Sequence, residues 1–134
     1  MTITSYATFT AGLAALSVTG VNKNFTEPPA SIGTADLPAM WPGLPRGEEP
    51  AMTFQTSGGW PTLTCELIIA VEAVNQGTQA QNYALVVSIL DNLSTALRTA
   101  NLGRYLLTWT VNANATVEVA GTSYWAIVAT IAGR

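Results

Sequence analysis

Histidine is absent from this 134-residue chain, and cysteine occurs once, at Cys65. Without histidine the chain lacks the commonest general base and metal ligand, which excludes Ser-His and Cys-His catalytic pairs and His-based zinc sites. A single cysteine forms no disulfide within the chain, and Cys65 stands in a strand-like run where a buried thiol is expected. No GxGxxG or Walker-type phosphate-binding motif is present. These absences predict a protein that is not an enzyme and uses no cofactor or metal.

Charged residues are also scarce, at 10% of the chain with a net charge of −3, where soluble proteins average about 25%. With no cluster of lysine or arginine, the chain is a poor candidate for binding nucleic acid electrostatically. Because interface cores are depleted in charge relative to ordinary surface, the scarcity favours a protein whose surface is covered by other subunits. The alternative is a weakly charged monomer rich in Thr, Ser, Asn and Gln.

Long apolar runs are missing as well. No stretch reaches the roughly 18 uninterrupted apolar residues that a membrane helix needs, and the N-terminal "MTITSYATFTAGLAAL" lacks the positively charged region of a signal peptide. We therefore expect no membrane contact and synthesis and assembly in a cytoplasm.

The apolar pattern predicts one α+β domain over residues 1–134. A short helix is expected over 4–17 and a long one over 78–100, the latter opened by a capping box of Thr78 and Gln81. Strands are expected at "VTGVNKNF", in a hairpin from "AMTFQ" through "TSGGWP" to "TLTCELIIAVEAV", and in a three-stranded meander after the long helix. The last two strands of the meander are expected to be hinged at Ala120-Gly121. Helices on one face of a mostly antiparallel sheet follow from this order.

Two faces can be assigned residue by residue. In the long run beginning at Thr62, alternation predicts a buried face of Leu63, Cys65, Leu67, Ile69, Val71 and Ala73, with Thr62, Thr64, Glu66 and Glu72 on the other. On the long helix, three- and four-residue steps predict a buried stripe of Tyr83, Val86, Leu90, Leu93 and Leu97.

The segment 28–50 contains six prolines and three glycines, which predicts an extended arm unable to form a regular central strand or helix. We expect this arm to serve either as a strap over its own core or as a contact to a neighbouring subunit. The contact hypothesis assigns the interface to Leu37, Met40, Trp41, Leu44 and Arg46, with Trp41 as hot spot. It predicts that Trp41→Ala abolishes assembly without unfolding the monomer.

This layout, with the motifs "ADLPA", "YALVVSILDNLSTAL", "LGRYLLTWTV" and "AGTSYWA", resembles the tail terminator (tail completion) proteins of long-tailed bacteriophages over nearly the whole chain. The resemblance implies a virion protein, assembled in the host cytoplasm, that forms a six-subunit ring at the head-proximal end of the tail tube. The ring would stop tube polymerisation and join the tail to the neck. Its implied partners are further copies of itself, the tail tube protein and a neck or connector protein.

In such a ring DNA passes through the bore without specific binding, and Glu66 or Glu72 is a candidate for the channel wall. Two other functions stay open. One is another neck, head-tail connector or minor tail component. The other is a monomeric module that binds a small ligand or peptide in an apolar pocket around Trp60 or Trp109.

Overall fold

The computed structural model describes residues 6–48, 62–100, 102 and 106–134. Within these ranges two helices and six strands follow one another in the order α1 (Tyr6–Ala14), β1 (Lys23–Asn24), β2 (Ala39–Pro42), β3 (Arg46–Glu48), β4 (Thr62–Ala73), α2 (Gln79–Thr99), β5 (Leu107–Val119) and β6 (Thr122–Gly133). The first strand of the expected hairpin, its turn with Trp60, and Tyr105 lie outside the described residues.

All six strands belong to one sheet with the order β1-β2-β4-β6-β5, and β3 pairs with β4 beyond the end of β2. Only the β1–β2 pair is parallel. This arrangement confirms the predicted α+β class with a mostly antiparallel sheet. None of the helices within the described ranges is long and apolar enough to cross a membrane.

Both helices contribute to one hydrophobic core on the same face of the sheet. Phe9 and Leu13 of α1 and Ile89, Leu93 and Leu97 of α2 are buried there against alternate residues of β4 and β6. The predicted capping box at the start of α2 is confirmed, since the Thr78 side chain accepts from the Gln81 amide and the Gln81 side chain accepts from the Thr78 amide.

The predicted buried stripe of α2 is wrong at its first residue. Tyr83 is 71% exposed, and Ile89, which the prediction omitted, is fully buried. The buried positions are spaced four residues apart, at Ile89, Leu93 and Leu97. Tyr83 is not in line with them on the helix surface, so its side chain lies outside the buried stripe.

The two predicted faces of β4 hold only as far as a β-bulge. Up to Ile69 the strand alternates as expected, but the register with β6 shifts between Ala70 and Glu72. The extra residue at a bulge reverses the alternation beyond it. Ala73 therefore joins the opposite core, beside Tyr124. Its predicted place beside Leu63 and Cys65 was wrong.

The meander contains two strands instead of three. β5 is continuous over 13 residues, and a register shift between Asn112 and Ala115 bends it without ending it. The predicted turn at Ala120-Gly121 is confirmed, because both residues have positive φ, 53° and 81°, as a tight hairpin turn with right-handed twist requires.

A second, smaller core lies on the sheet face opposite the helices. Trp41 and Ala39 of β2 are buried there with Tyr124 of β6, and the loop between β1 and β2 covers them through Phe25, Ile32 and Leu37. The expectation that the proline-rich segment forms no regular strand was wrong for residues 39–42. The prolines lie at positions 38 and 42, so Ala39, Met40 and Trp41 keep their N–H groups for pairing.

Candidate interaction surfaces

The proline-rich segment divides into a buried and an exposed part. Met40 is fully buried in the helix-side core, Trp41 is 2% exposed in the opposite core, and Leu37 is half-buried beside it. Leu44 is 90% exposed and Arg46 is exposed in β3. Of the five predicted interface residues, only the last two therefore present their side chains at the surface of the single chain. The contact with a neighbouring subunit stays a prediction.

Leu44 protrudes because β2 and β3 pair with the same side of β4 and are separated by a bulge, at a level that β1, which pairs only with Ala39 and Met40, does not reach. Pro42 lies opposite Leu67 and Arg46 lies opposite Thr64, so three residues on the edge face only two on β4. The surplus residue has no pairing partner and is pushed outward. Bulges of this kind occur at sheet edges and redirect side chains.

The bulge is held by both covalent and hydrogen-bonded constraints. Pro42 and Pro45 flank Leu44 and fix their own φ angles, and the Gly43 amide donates to the Glu66 carbonyl at 2.7 Å. The Cys65 thiol donates to the Gly43 carbonyl at 3.3 Å. The exposed leucine is thus presented on a backbone with little freedom left to lose on docking. We call residues 43–45 the Leu44 bulge.

The buried thiol under the bulge has little nucleophilic character. Burial raises the pKa of Cys65 to about 11 from its ordinary 9.0, and the nearby Glu66 carboxylate adds to the rise. Since the thiolate is the reactive form, Cys65 is expected to be inert at neutral pH, as the sequence predicted for a buried cysteine.

Glu66 lies on the open part of the sheet face opposite the helices. Across the sheet it is in register with Thr130, which is in register with Thr110, and these three line a shallow depression with Val111, Asn112 and Val128. This surface is polar and rich in threonine. It could face a channel as predicted for Glu66, and that role stays a prediction.

Glu72 lies on the other side of the sheet. The bulge in β4 sets it in register with Trp125, and its carboxylate packs against Gly77, where a Cβ would come within 2.7 Å of Oε2. The prediction that Glu72 shares a face with Glu66 was wrong because of this bulge. The two carboxylates therefore cannot line one channel from a single surface of the sheet.

An open groove of about 460 Å³ lies between the first half of α2 and the sheet. Two bulges at the same level build its floor: Val71 of β4 has no partner in β6, and on the other side of β6 the residues Ala113 and Asn114 of β5 together face only Ile127. Trp125 of β6 lies between them. The apolar lining comprises Val71, Val86, Leu90, Val111, Ala113 and Trp125.

None of the residues that line this groove is charged, and its side-chain amides are those of Gln79, Asn82, Asn112 and Asn114. The Gln79 side-chain amide donates to Asn114 Oδ1, and Asn82 Nδ2 donates to the Thr78 carbonyl at 3.0 Å. Trp125 Nε1 donates to the Gly77 carbonyl at 2.9 Å, which leaves its ring as an apolar wall. At the rim, Tyr83, Val87 and Val111 are partly or largely exposed.

Sequence reasoning missed this groove. It placed an apolar pocket around Trp60 or Trp109, whereas the groove has Trp125 in its wall, and Trp60 lies outside the described residues. One signal was present in the helix: Tyr83, Val87 and Leu90 form a second apolar stripe beside the buried one. The bulges that make room for a cavity leave no comparable mark, because an alternating strand sequence looks the same with or without a surplus residue.

The described residues contain no group of three or more Cys, Asp or Glu side chains that could hold a metal ion. The surfaces suited to binding are instead neutral: the Leu44 bulge beside β4 and the groove beside β5. The fold and these surfaces define a small α+β protein with neutral apolar surfaces at two places along its sheet. Neither the comparison with protein-family models nor that with curated proteins found a match.

Proposed function

We propose that this chain is a structural virion protein of the tail terminator type, which closes into a ring at the head-proximal end of a tail tube and joins the tail to the neck. The observation that carries the proposal is the pair of unlike apolar surfaces at two places along one sheet. A contact between two unlike surfaces is head-to-tail, and head-to-tail contacts generate rings when the rotation per subunit closes.

The exposed apolar residues and the scarcity of charge support assembly. Leu44 and Tyr83 are largely exposed, and Leu106, Val87 and Val111 are exposed in part. Placing an unpaired leucine and tyrosine on the surface of a chain with 13 charged residues is typical of a subunit that buries them against a neighbour. The resemblance in layout to tail terminators then supplies the particular assembly.

The open threonine-rich face fits the inner wall of such a ring. A bore that passes DNA needs polar, non-basic groups, because lysine and arginine would bind phosphates and hold the DNA in place. Glu66, Thr110 and Thr130 provide such a surface. The net charge of −3 points the same way.

Electron microscopy of particles assembled without this protein tests the function directly. Tails of uncontrolled length that are not joined to heads are the expected result, and supplying the chain in trans should restore joined virions of normal tail length. Virions of normal appearance in its absence would overturn the proposal. Uncontrolled tail length with normal joining would assign a role in length control alone, whereas unjoined tails of normal length favour another neck component.

A second function has support in the 460 Å³ groove, whose size is within the range of small-molecule sites. A module binding a small neutral ligand would use Trp125 as an apolar wall and the amides of Gln79, Asn82 and Asn114 as polar contacts. Native mass spectrometry separates the two proposals. A 14.1 kDa species at all concentrations favours the ligand module, and an ordered oligomer favours the ring.

A further inference from the structure

We propose that the groove between α2 and β5 is the receptor for the Leu44 bulge of a second copy of this chain, an inference that rests on the proposed ring. The Leu44 bulge and this groove are complementary in polarity and in shape. The occupant is a neutral turn, Pro42-Gly43-Leu44-Pro45, and the receptor is a groove with no charged residue in its lining.

The two surfaces cannot meet within one chain. The Leu44 bulge lies beside β4 between Pro42 and Arg46, opposite Cys65 and Glu66. The nearest groove residue on β4 is Val71, five residues beyond Glu66 and roughly 17 Å along the strand, which exceeds the reach of a leucine side chain. A rigid edge with its own proline-fixed backbone does not fold around the sheet, so the Leu44 side chain must find its partner on another molecule.

The shapes of the two surfaces match. The Leu44 bulge is a narrow projection from an edge strand, with a single branched side chain at its tip that is 90% exposed. The groove is open at the rim, where Tyr83, Val87 and Val111 lie, and apolar at the floor. An aliphatic anchor that enters an apolar pocket is one of the forms that the central cluster of a binding interface takes.

Charge completes the match at the ends of the contact. Arg46 follows the Leu44 bulge by two residues and is exposed. At the sheet end of the groove, Glu72 is in register with Trp125, and Glu118 lies two residues beyond Thr116 on the same side of β5. A bulge seated against Trp125 brings one guanidinium toward carboxylates of the neighbour, which orients the contact and disfavours the reverse orientation.

Cysteine cross-linking tests the contact at residue level. Leu44→Cys and Tyr83→Cys chains are prepared separately and mixed, then treated with a short bismaleimide. The mixture is expected to give a cross-linked dimer containing one of each chain, while either variant alone gives none. A chain carrying both substitutions should give a ladder of multimers. The wild type is the control, because its one cysteine, Cys65, is buried.

Two results overturn the inference while leaving the ring in place: an oligomer in native mass spectrometry without the Leu44–Tyr83 cross-link, or Leu44→Cys chains that cross-link to themselves. A chain that stays at 14.1 kDa at high concentration overturns the ring and the inference together. Cross-linking of Tyr83→Cys to itself would mean groove facing groove, which also contradicts a head-to-tail contact.

A matched pair of surface variants gives an independent measurement. Leu44→Asp should weaken subunit association by about tenfold to a hundredfold, as removal of a central anchor does, and should leave the thermal unfolding of the monomer unchanged. Leu106→Asp is the control, since Leu106 is also exposed in part, at 54%, but it precedes β5 and lies five residues from Val111, roughly 17 Å in extended chain. Equal weakening by both substitutions would contradict a specific receptor for Leu44.

Discussion

The proline-rich segment is two structures joined at Pro42. Before this residue, Ala39, Met40 and Trp41 pair with β4 and are buried on both faces of the sheet. After it, the Leu44 bulge leaves the sheet and exposes a large apolar side chain. The same composition of prolines and apolar residues therefore builds core in one half and contact surface in the other, and the difference is set by register with β4.

This difference shows that one segment can cover its own core as a strap and also present an exposed apolar side chain as an arm. Residues 25–37 form the strap, since Phe25, Ile32 and Leu37 cover Trp41. The arm shrinks to three residues, held from beneath by the Gly43 amide and the Cys65 thiol. A residue before Pro42, in what we call the strap half, is expected to contribute to the stability of the monomer. A residue after Pro42, in the arm half, is expected to contribute to association.

Trp41→Ala is expected to have the largest effect on the monomer. Truncating a buried tryptophan lowers the free energy of unfolding by about 3–5 kcal/mol, a large share of the roughly 5–15 kcal/mol that a domain has. Urea unfolding followed by circular dichroism measures the loss. This expectation replaces the one drawn from sequence, in which the variant stays folded and fails only to assemble. A folded variant of unchanged stability would contradict the division.

Sequence reasoning was strongest where a local rule decides the structure. The capping box of Thr78 and Gln81, the Ala120-Gly121 turn and the burial of Cys65 were all predictable, because each depends on near neighbours or on simple alternation. The faces of β4 and the single long β5 were not. Each contains a bulge, and a surplus residue is accommodated by the partner strand without any special residue in the bulged one.

The candidate site was predicted only in part for the same reason. Sequence alone singled out Leu44 and Arg46 together with Met40 and Trp41, since all lie between prolines and all but Arg46 are apolar. Separating them required the register of β2 and β3 on β4. The groove required two bulges to lie at the same level beside Trp125, which is a property of paired strands and is invisible in any one of them.

The reactivity of Cys65 is expected to report on the junction between the two halves. Its pKa near 11, raised mainly by burial from 9.0, lowers the thiolate fraction at pH 8 about a hundredfold. Labelling by a maleimide should be slow in the native chain and fast in urea. Rapid native labelling would mean that the Leu44 bulge opens away from β4 and lacks the rigidity assigned to it.

The same pKa fixes the direction of the pH dependence. Because the folded state holds the proton more tightly than the unfolded one, Cys65 contributes its full stabilising effect below pH 9, and this contribution is lost as pH rises from 9 toward about 11. The free energy of unfolding of wild type, measured against a Cys65→Ala variant at each pH, should show the difference. A contribution that grows with pH would contradict burial of the thiol.

Asn22→Ala is expected to lower the free energy of unfolding by less than Trp41→Ala does. Asn22 Nδ2 donates to the Leu37 carbonyl at 2.6 Å, just before β2 begins. Removing one exposed hydrogen bond of this kind lowers the free energy of unfolding by about 0.5–1.5 kcal/mol. Asn75→Ala, in the exposed turn after β4, is the control. A similar decrease in the free energy of unfolding for both variants would mean that the Asn22 hydrogen bond does not specifically stabilise the strap.

Leu44→Ala is expected to have the smallest effect on the monomer and a clear effect on association. The side chain is 90% exposed, so truncation removes almost no buried area, and changes at exposed surface positions stay within about 0.5 kcal/mol. Unfolding in urea should therefore coincide with that of wild type, while sedimentation equilibrium shows weaker association. If Leu44→Ala destabilised the monomer as Trp41→Ala does, both halves of the segment would belong to the core. Leu44 would then not be free to bind the groove of a second copy.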